Sequence, residues 1–200
     1  MKNKIFTLIA ITVATLAFSI SATAQNKKAS MNARLFDLVQ SVKQGKIRIN
    51  TEMARQVRED FSEAETGSDH GNAPSIIGSW NCLIASSDTG LPAFEALQTF
   101  GAEGTFIETS SLLGMGGEGP AHGVYQRFKR GYVLTFELFV FDPATGESVG
   151  RVRVRASIRM TSPNDFTAAT AVDFIEPDGT IILDIDGGPF RGTRLNLRGV

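Results

Sequence analysis

Apolar and polar residues alternate with a period of two over much of the second half of the chain. The alternation is strictest at 149–160, where one set is Val152, Val154, Ala156, Ile158 and Met160, and the other is Arg151, Arg153, Arg155, Ser157 and Arg159. Because successive side chains of a strand point to opposite faces, this pattern predicts a half-buried strand. Two runs rich in aromatic and β-branched residues precede it, at 123–128 and 132–141. Short Gly-, Pro- and Asp-containing segments separate the runs, which predicts an antiparallel meander.

The same kind of pattern extends over residues 76–200. Further strands are predicted at 76–85, 94–100, 105–110, 166–175, 180–186 and 193–198. No helical pattern interrupts them, which argues against a parallel sheet. The expected fold is mainly β: an antiparallel up-and-down barrel of eight or nine strands.

Residues 25–75 have a different pattern, polar and charged, with apolar residues at helical spacing. One helix is predicted at 29–44 and a second at 51–64, the latter with Met53, Val57 and Phe61 on one side. Residues 66–75 are expected to form a linker. This short helical arm is either loosely attached, or docks on the barrel or on a partner.

Residues 1–24 have the pattern of a secretory signal peptide. Lys2 and Lys4 precede an uncharged apolar run at 5–20, and the small residues Ala22-Thr23-Ala24 follow it. The run is short for a membrane anchor, and the small residues favour cleavage before Gln25. We therefore expect a periplasmic or secreted protein with three parts: 1–24, 25–75 and 76–200.

The charge balance limits the expected partners, and the cysteine content limits how the fold is stabilised. The chain has 20 basic and 21 acidic residues, which gives no reason to expect binding to nucleic acid or to an anionic membrane surface. Stable insertion into a membrane is not expected either. Cys82 is the only cysteine, so an intrachain disulfide is excluded and stability must come from burial. No cofactor motif is recognised.

Hairpin geometry predicts which side chains face the interior. A turn at Ala102-Glu103-Gly104 pairs Phe100 with Phe106 and Gln98 with Glu108. A turn at Lys129-Arg130-Gly131 pairs Gln126 with Leu134. The predicted interior comprises Phe94, Phe100, Phe106, Val124, Phe128, Leu134, Phe136, Leu138, Val154, Ile158, Val172 and Phe174, together with the polar side chains Gln98, Glu108 and Gln126. A slip of one residue reverses any such assignment.

For the hairpin near residues 161–165, pairing Met160 with Phe166 places Arg153 opposite Asp173. This register predicts an ion pair on the exterior. The row of arginines on this strand is then interpreted as a solvated outer face. If the row faced inward instead, it would bind an anionic ligand.

Gly78-Ser79-Trp80 at the first predicted strand, followed by an antiparallel strand series with Arg194 near its end, resembles the lipocalin and wider calycin pattern. In that family a Gly-x-Trp opens the barrel, and an arginine of the last strand packs across the tryptophan. The resemblance implies that Gly78, Trp80 and Arg194 have this structural role. Allene oxide cyclase-like and dirigent-like barrels are similar at this level.

Three functions are compatible with these features. The first is binding of a small apolar molecule inside the barrel, behind a Gly-rich gate at 112–119; the lining residues would be Trp80, Phe100, Phe106, Gln98, Gln126 and Phe136. The second is a cofactor-free cyclase, isomerase or dehydratase in which Glu108 or Tyr125 moves a proton; the predicted register places only Glu108 on the inner face, where burial would raise the pKa of its carboxyl group. The third is a structural or interaction protein that docks through the helical arm.

Other residues with catalytic or metal-binding chemistry do not form a recognisable site. His70 and His122 are the only histidines and lie far apart in the sequence. Two such residues do not make a metal site or a catalytic triad. We predict no metal site.

Overall fold

The structure is a computed structural model that describes residues 51–66, 73–86, 93–111, 119–142, 145–182 and 187–196, together with Ser41 and Gln44. The segment 1–24, and the helix predicted at 29–44 apart from those two residues, lie outside the described residues. Over these described residues, the elements are one helix and nine strands: α1 (Thr51–Thr66), β1 (Gly78–Ile84), β2 (Phe94–Phe100), β3 (Thr105–Ser110), β4 (Ala121–Phe128), β5 (Gly131–Phe141), β6 (Ser148–Ser162), β7 (Asp165–Ile175), β8 (Ile181–Ile182) and β9 (Phe190–Arg194).

The strands form an antiparallel up-and-down barrel. Strands β1 to β7 pair in chain order, β9 pairs with both β7 and β1, and the circuit of eight strands is closed. The two-residue strand β8 is an addition that pairs with the end of β7. The predicted fold class is confirmed, with a short helix preceding the barrel.

The barrel has two different ends. At the end that we call the closed end lie the β2–β3, β4–β5 and β6–β7 turns, the start of β1 and the last residue of β9. At the opposite end lie the connections β1–β2, β3–β4 and β5–β6. The gate predicted at 112–119 falls between β3 and β4 in the sequence, and its residues 112–118 lie outside the described residues.

Two predicted registers are confirmed. In β2 and β3, Phe100 pairs with Phe106 and Gln98 with Glu108. In β6 and β7, Met160 pairs with Phe166. In both cases one face is buried, so the alternation in the sequence determines the pairing.

The predicted register of the β4–β5 hairpin is wrong by one residue. Phe128 pairs with Gly131, and the loop has two residues because Lys129 adopts a positive φ of 50°. Gly131 serves a different purpose, since a Cβ there would lie 1.9 Å from the Ile158 carbonyl oxygen of β6. The one-residue difference reverses the two faces of β4 relative to the prediction. Val124, Gln126 and Phe128 lie on the outer face, whereas Tyr125 and Arg127 face inward.

The arginine row of β6 lies on the outer face, as predicted, but its ion pairs are shifted along the strand. Arg153 is opposite Asp173 in register, yet it is Arg155 that binds the buried Asp173 carboxylate, at 2.6 Å. Arg151 and Arg153 both bind Glu137 of β5, each at 2.7 Å. Long guanidinium side chains reach the diagonal neighbour as easily as the direct one.

Helix α1 docks on the outer face of the barrel. Ala54 and Val57 pack against Ala171 of β7. Near the other end of the helix, Ala64 packs against Phe128 and Val133. Of the two interpretations of the arm, docking on the barrel is the one observed for this helix. It also explains how apolar residues of β4 and β5 can face outward.

Polar contacts fix the orientation of α1. Ser157 of β6 donates a hydrogen bond to Asp60 at 2.6 Å, and Gln126 donates to the Ala64 carbonyl at 3.3 Å. The helix covers β5 to β7 and leaves Leu97 and Ile107 of β2 and β3 exposed. Within the described residues, no helix combines the length and apolarity that crossing a membrane requires.

Candidate functional site

The closed end is sealed by contacts between the first and last barrel strands. Trp80 of β1 pairs with Arg194 of β9, and the guanidinium carbon lies 4.2 Å from the centre of the indole ring. Arg194 also donates to the carbonyl oxygens of Ser75, Ile77 and Pro163, at 2.5, 2.6 and 3.0 Å. The stacking geometry predicted from the sequence is therefore present. Gly78 has a φ of 128°, a conformation that residues with a side chain rarely adopt, and it lies close to Arg194 Nη1, so this position favours glycine.

A second set of contacts at the closed end was not predicted. The Tyr132 hydroxyl donates to the Pro74 carbonyl at 2.9 Å and accepts from the Ile76 amide at 3.2 Å. Arg127 donates to the Ala73 carbonyl at 2.8 Å and to the Tyr132 hydroxyl at 3.1 Å. The incorrect β4–β5 register had placed Arg127 outside. With the correct register, an inward arginine beside Tyr132 would have indicated this contact.

Aromatic side chains pack together toward the closed end of the barrel interior. Phe166 contacts Trp80 with ring centres 4.9 Å apart, and Phe106 contacts both Phe100 and Phe136 at 5.0 Å. Phe100 further contacts Tyr125 at 5.1 Å. Most of these pairs are edge-to-face, the arrangement that aromatic quadrupoles favour.

The next row of inward side chains contains a buried polar pair. The register places Trp80, Gln98, Glu108 and Ala121 side by side across β1 to β4. Gln98 Nε2 donates to Glu108 Oε2 at 2.6 Å, and the two side chains are only 1% and 7% exposed. Gln98 Oε1 is buried and accepts no hydrogen bond from any described residue. Such an atom is unusual in a folded protein, and one explanation is a ligand that supplies the donor.

The row beyond, toward the opposite end, has only short side chains on this wall. Cys82, Ala96 and Ser110 lie side by side on β1, β2 and β3, and all three are buried. Burial raises the pKa of the Cys82 thiol far above its ordinary value, and the nearby Glu108 carboxylate raises it further. The thiol therefore stays protonated near neutral pH and is not a nucleophile.

The structure brings most of the predicted site residues together, with one exception. Buried in the interior are Trp80, Phe100, Phe106, Gln98, Phe136 and Glu108. Gln126 is the exception: it lies on the outer face, bonded to α1, and its predicted place in the lining is wrong. Whether the others bind a ligand stays a prediction.

The two proton-transfer candidates are both on the inner face but differ in position. Glu108 lies in the polar row, whereas Tyr125 lies nearer the closed end and donates to the Gly101 carbonyl at 2.6 Å. Burial, with smaller contributions from Tyr132 and Glu103, raises the pKa of Tyr125. A raised pKa makes its phenol a weaker acid.

Histidine contributes nothing to this row. His122 lies on the outer face of β4, and His70 is outside the described residues. Among the residues described, no group of three or more His, Cys, Asp or Glu side chains is placed to hold a metal ion.

No protein-family model, no curated protein sequence and no solved structure matches this chain. The closed antiparallel barrel is consistent with a lipocalin-like fold. The contact between Trp80 and Arg194 agrees with the resemblance found in the sequence.

Proposed function

We propose that this chain is an exported, lipocalin-like binding protein that holds a small, mostly apolar molecule in its barrel. The polar row at Gln98 and Glu108 would contact the one polar group of that molecule. The observation that carries the proposal is the buried Gln98 Oε1 atom without a hydrogen-bond donor.

The energetic argument concerns the cost of that atom. A buried acceptor left without a donor costs about 1–3 kcal/mol in the folded protein. A ligand hydroxyl or amine that donates to Gln98 Oε1 would recover this free energy on binding. The gain would be largest for a ligand whose remaining surface is apolar, because the neighbouring walls are aromatic or aliphatic.

The distribution of side-chain size supports the same location. Cys82, Ala96 and Ala121 are the short neighbours of the polar pair, whereas buried rings lie both toward the closed end and, at Phe174 and Phe190, toward the opposite end. A ligand that contacts Gln98 would lie over these short side chains.

The test uses the single tryptophan as an energy donor. Titration with N-phenyl-1-naphthylamine, an uncharged apolar fluorophore, should give saturable quenching of Trp80 emission. Ala96→Phe would place a bulky ring beside Gln98, where the ligand is proposed to bind, and should abolish the effect, whereas Leu97→Phe, one residue along on the exposed face, should leave it unchanged. Equal binding by wild type and Ala96→Phe would contradict an interior site.

Export is the second part of the proposal and rests on residues 1–24. Expression of the whole chain in a Gram-negative host should yield mature protein beginning at Gln25 in the periplasm or medium. Replacing Lys2 and Lys4 with glutamate should reduce its export, because it reverses the charge of the n-region. A product that keeps Met1 and stays in the cytoplasm would contradict this part alone.

A further inference from the structure

A cleft of about 480 Å³ lies on the outside of the barrel, between α1 and the outer faces of β4, β5 and β6. Its floor consists of two rungs of side chains. One rung is Val124, Thr135 and Arg155, and the neighbouring rung is His122, Glu137 and Arg153. Phe61 and Glu65 of α1 form one wall. The cleft is therefore separated from the barrel interior by the sheet itself.

The helix leaves this cleft open because of where it crosses the sheet. The next rung toward the closed end is Gln126, Val133 and Ser157, and α1 covers it through the contacts of Ala64 and Asp60. The floor of the cleft begins one rung beyond. The docked helix therefore bounds the cleft on one side, and the strands form its floor.

The floor of the cleft carries two guanidinium groups, Arg153 and Arg155, and one carboxylate, Glu137. Glu137 binds Arg153 and also Arg151, which lies outside the cleft, and Asp173 binds Arg155. Glu65, which could oppose an anion, is exposed on the helix, where solvent screens its charge.

Arg155 has a donor that the protein does not use. Its Nη2 atom binds Asp173, while its Nε atom is buried and donates to no described residue. A guanidinium group normally offers several donors in one plane, which suits the two oxygens of a carboxylate. The side chain is 20% exposed and lines the cleft, so a carboxylate bound there would lie close to this donor.

Apolar surface lies beside these donors. Phe61 is partly buried against Val133 and Ala64, and Val124 is 59% exposed on the floor. A ligand that fits both features has an apolar body and one anionic group. We propose that this outer cleft is a second binding site, independent of the barrel interior, for a small organic carboxylate with an aromatic or aliphatic body.

The probe is sodium 3-phenylpropionate, with 3-phenylpropionamide as its uncharged counterpart. In titrations followed by amide chemical shifts, the acid should perturb His122, Val124 and Thr135 saturably, with a dissociation constant of about 1 mM or tighter. The amide should bind roughly tenfold more weakly or worse, since a charge-assisted hydrogen bond is lost. Equal binding of acid and amide would overturn recognition of an anion.

Two variants test whether the arginines are responsible for binding of 3-phenylpropionate. Arg155→Lys keeps a positive charge beside Asp173 but removes Nε, and Arg153→Gln removes the neighbouring guanidinium; each should weaken binding roughly tenfold to a hundredfold. Arg159→Gln is the matched control, on the same strand and face but outside the cleft, and should bind as wild type does.

Ala96→Phe separates this site from the interior one, because a ligand in the outer cleft should be unaffected by it. Shifts confined to interior residues, or unchanged affinity in both Arg155→Lys and Arg153→Gln, would overturn the proposal. Loss of binding in Ala96→Phe would do the same. None of these outcomes depends on whether the barrel interior binds a ligand.

Discussion

Arg194 closes the barrel through two kinds of contact at once. Its guanidinium plane lies over Trp80, and its donors satisfy three backbone carbonyl groups of the segments that enter β1 and β7. The indole NH of Trp80 is likewise used, donating to the Ile76 carbonyl at 2.8 Å. The pair therefore provides both packing and hydrogen bonding where the chain enters the barrel.

Removing the side chain of Trp80 and removing that of Arg194 should lower the free energy of unfolding by different amounts. Trp80→Ala should lower the free energy of unfolding by about 3–5 kcal/mol, as for other buried aromatic residues. Arg194→Ala should cost less, about 1–3 kcal/mol, because it is partly exposed and loses a cation–π contact and charged hydrogen bonds. Urea unfolding measures both values.

The control for this pair is Arg191→Ala, on the outer face of the same strand. It should change stability by no more than about 0.5 kcal/mol. If Arg194→Ala is as mild as Arg191→Ala, then the stacking contributes nothing. If Trp80→Ala is equally mild, the structural role inferred for both residues is wrong.

Among the strands, the reliability of the predicted register depended on the turn. The β2–β3 and β6–β7 pairings could be predicted because each strand has one clearly apolar face and one mixed face. In the β2–β3 turn, Gly104 also supplies the positive φ that the turn needs, 81°. The β4–β5 pairing could not. Its positive φ belongs to Lys129, a residue that rarely adopts one, and the nearby Gly131 suggested a longer loop.

That single turn decided most of what was missed at the candidate site. Because of it, Gln126 was predicted on the inner face, where the structure has Tyr125 and Arg127 instead. The polar pair Gln98 and Glu108 was predicted correctly, because it depends only on the β2–β3 turn. The periodic pattern alone could not decide between the two β4–β5 registers. Val124, Gln126 and Phe128 alternate with Tyr125 and Arg127, and neither set is clearly polar.

In the molecule as a whole, α1 determines which part of the barrel's outer surface is shielded from solvent. The sequence showed an amphipathic helix but could not show its target, because docking depends on residues distant in sequence such as Ala169 and Ala171 of β7. Small residues on an outer strand face admit a helix closely, whereas the exposed arginines beside them do not. The same docking creates the wall of the outer cleft, so helix and cleft are coupled.

This coupling gives a test at the level of the helix and barrel together. Val57 is fully buried against Ala171, so Val57→Asp places a carboxylate in an apolar contact and should detach α1. An isolated helix of 16 residues is marginal in water, so its amides should exchange with solvent rapidly once detached. The barrel amides should keep their protection, because the strands are paired around the whole circuit.

Gln56→Asp introduces the same charge one residue earlier, on the exposed side of the helix, and should leave α1 protected. Detachment should also abolish binding of 3-phenylpropionate, because Phe61 leaves the cleft, while quenching of Trp80 by the naphthylamine probe should persist. Protected α1 amides in Val57→Asp would show that the packing against Ala171 does not hold the helix. Loss of protection throughout the barrel would show instead that helix and barrel fold as one unit.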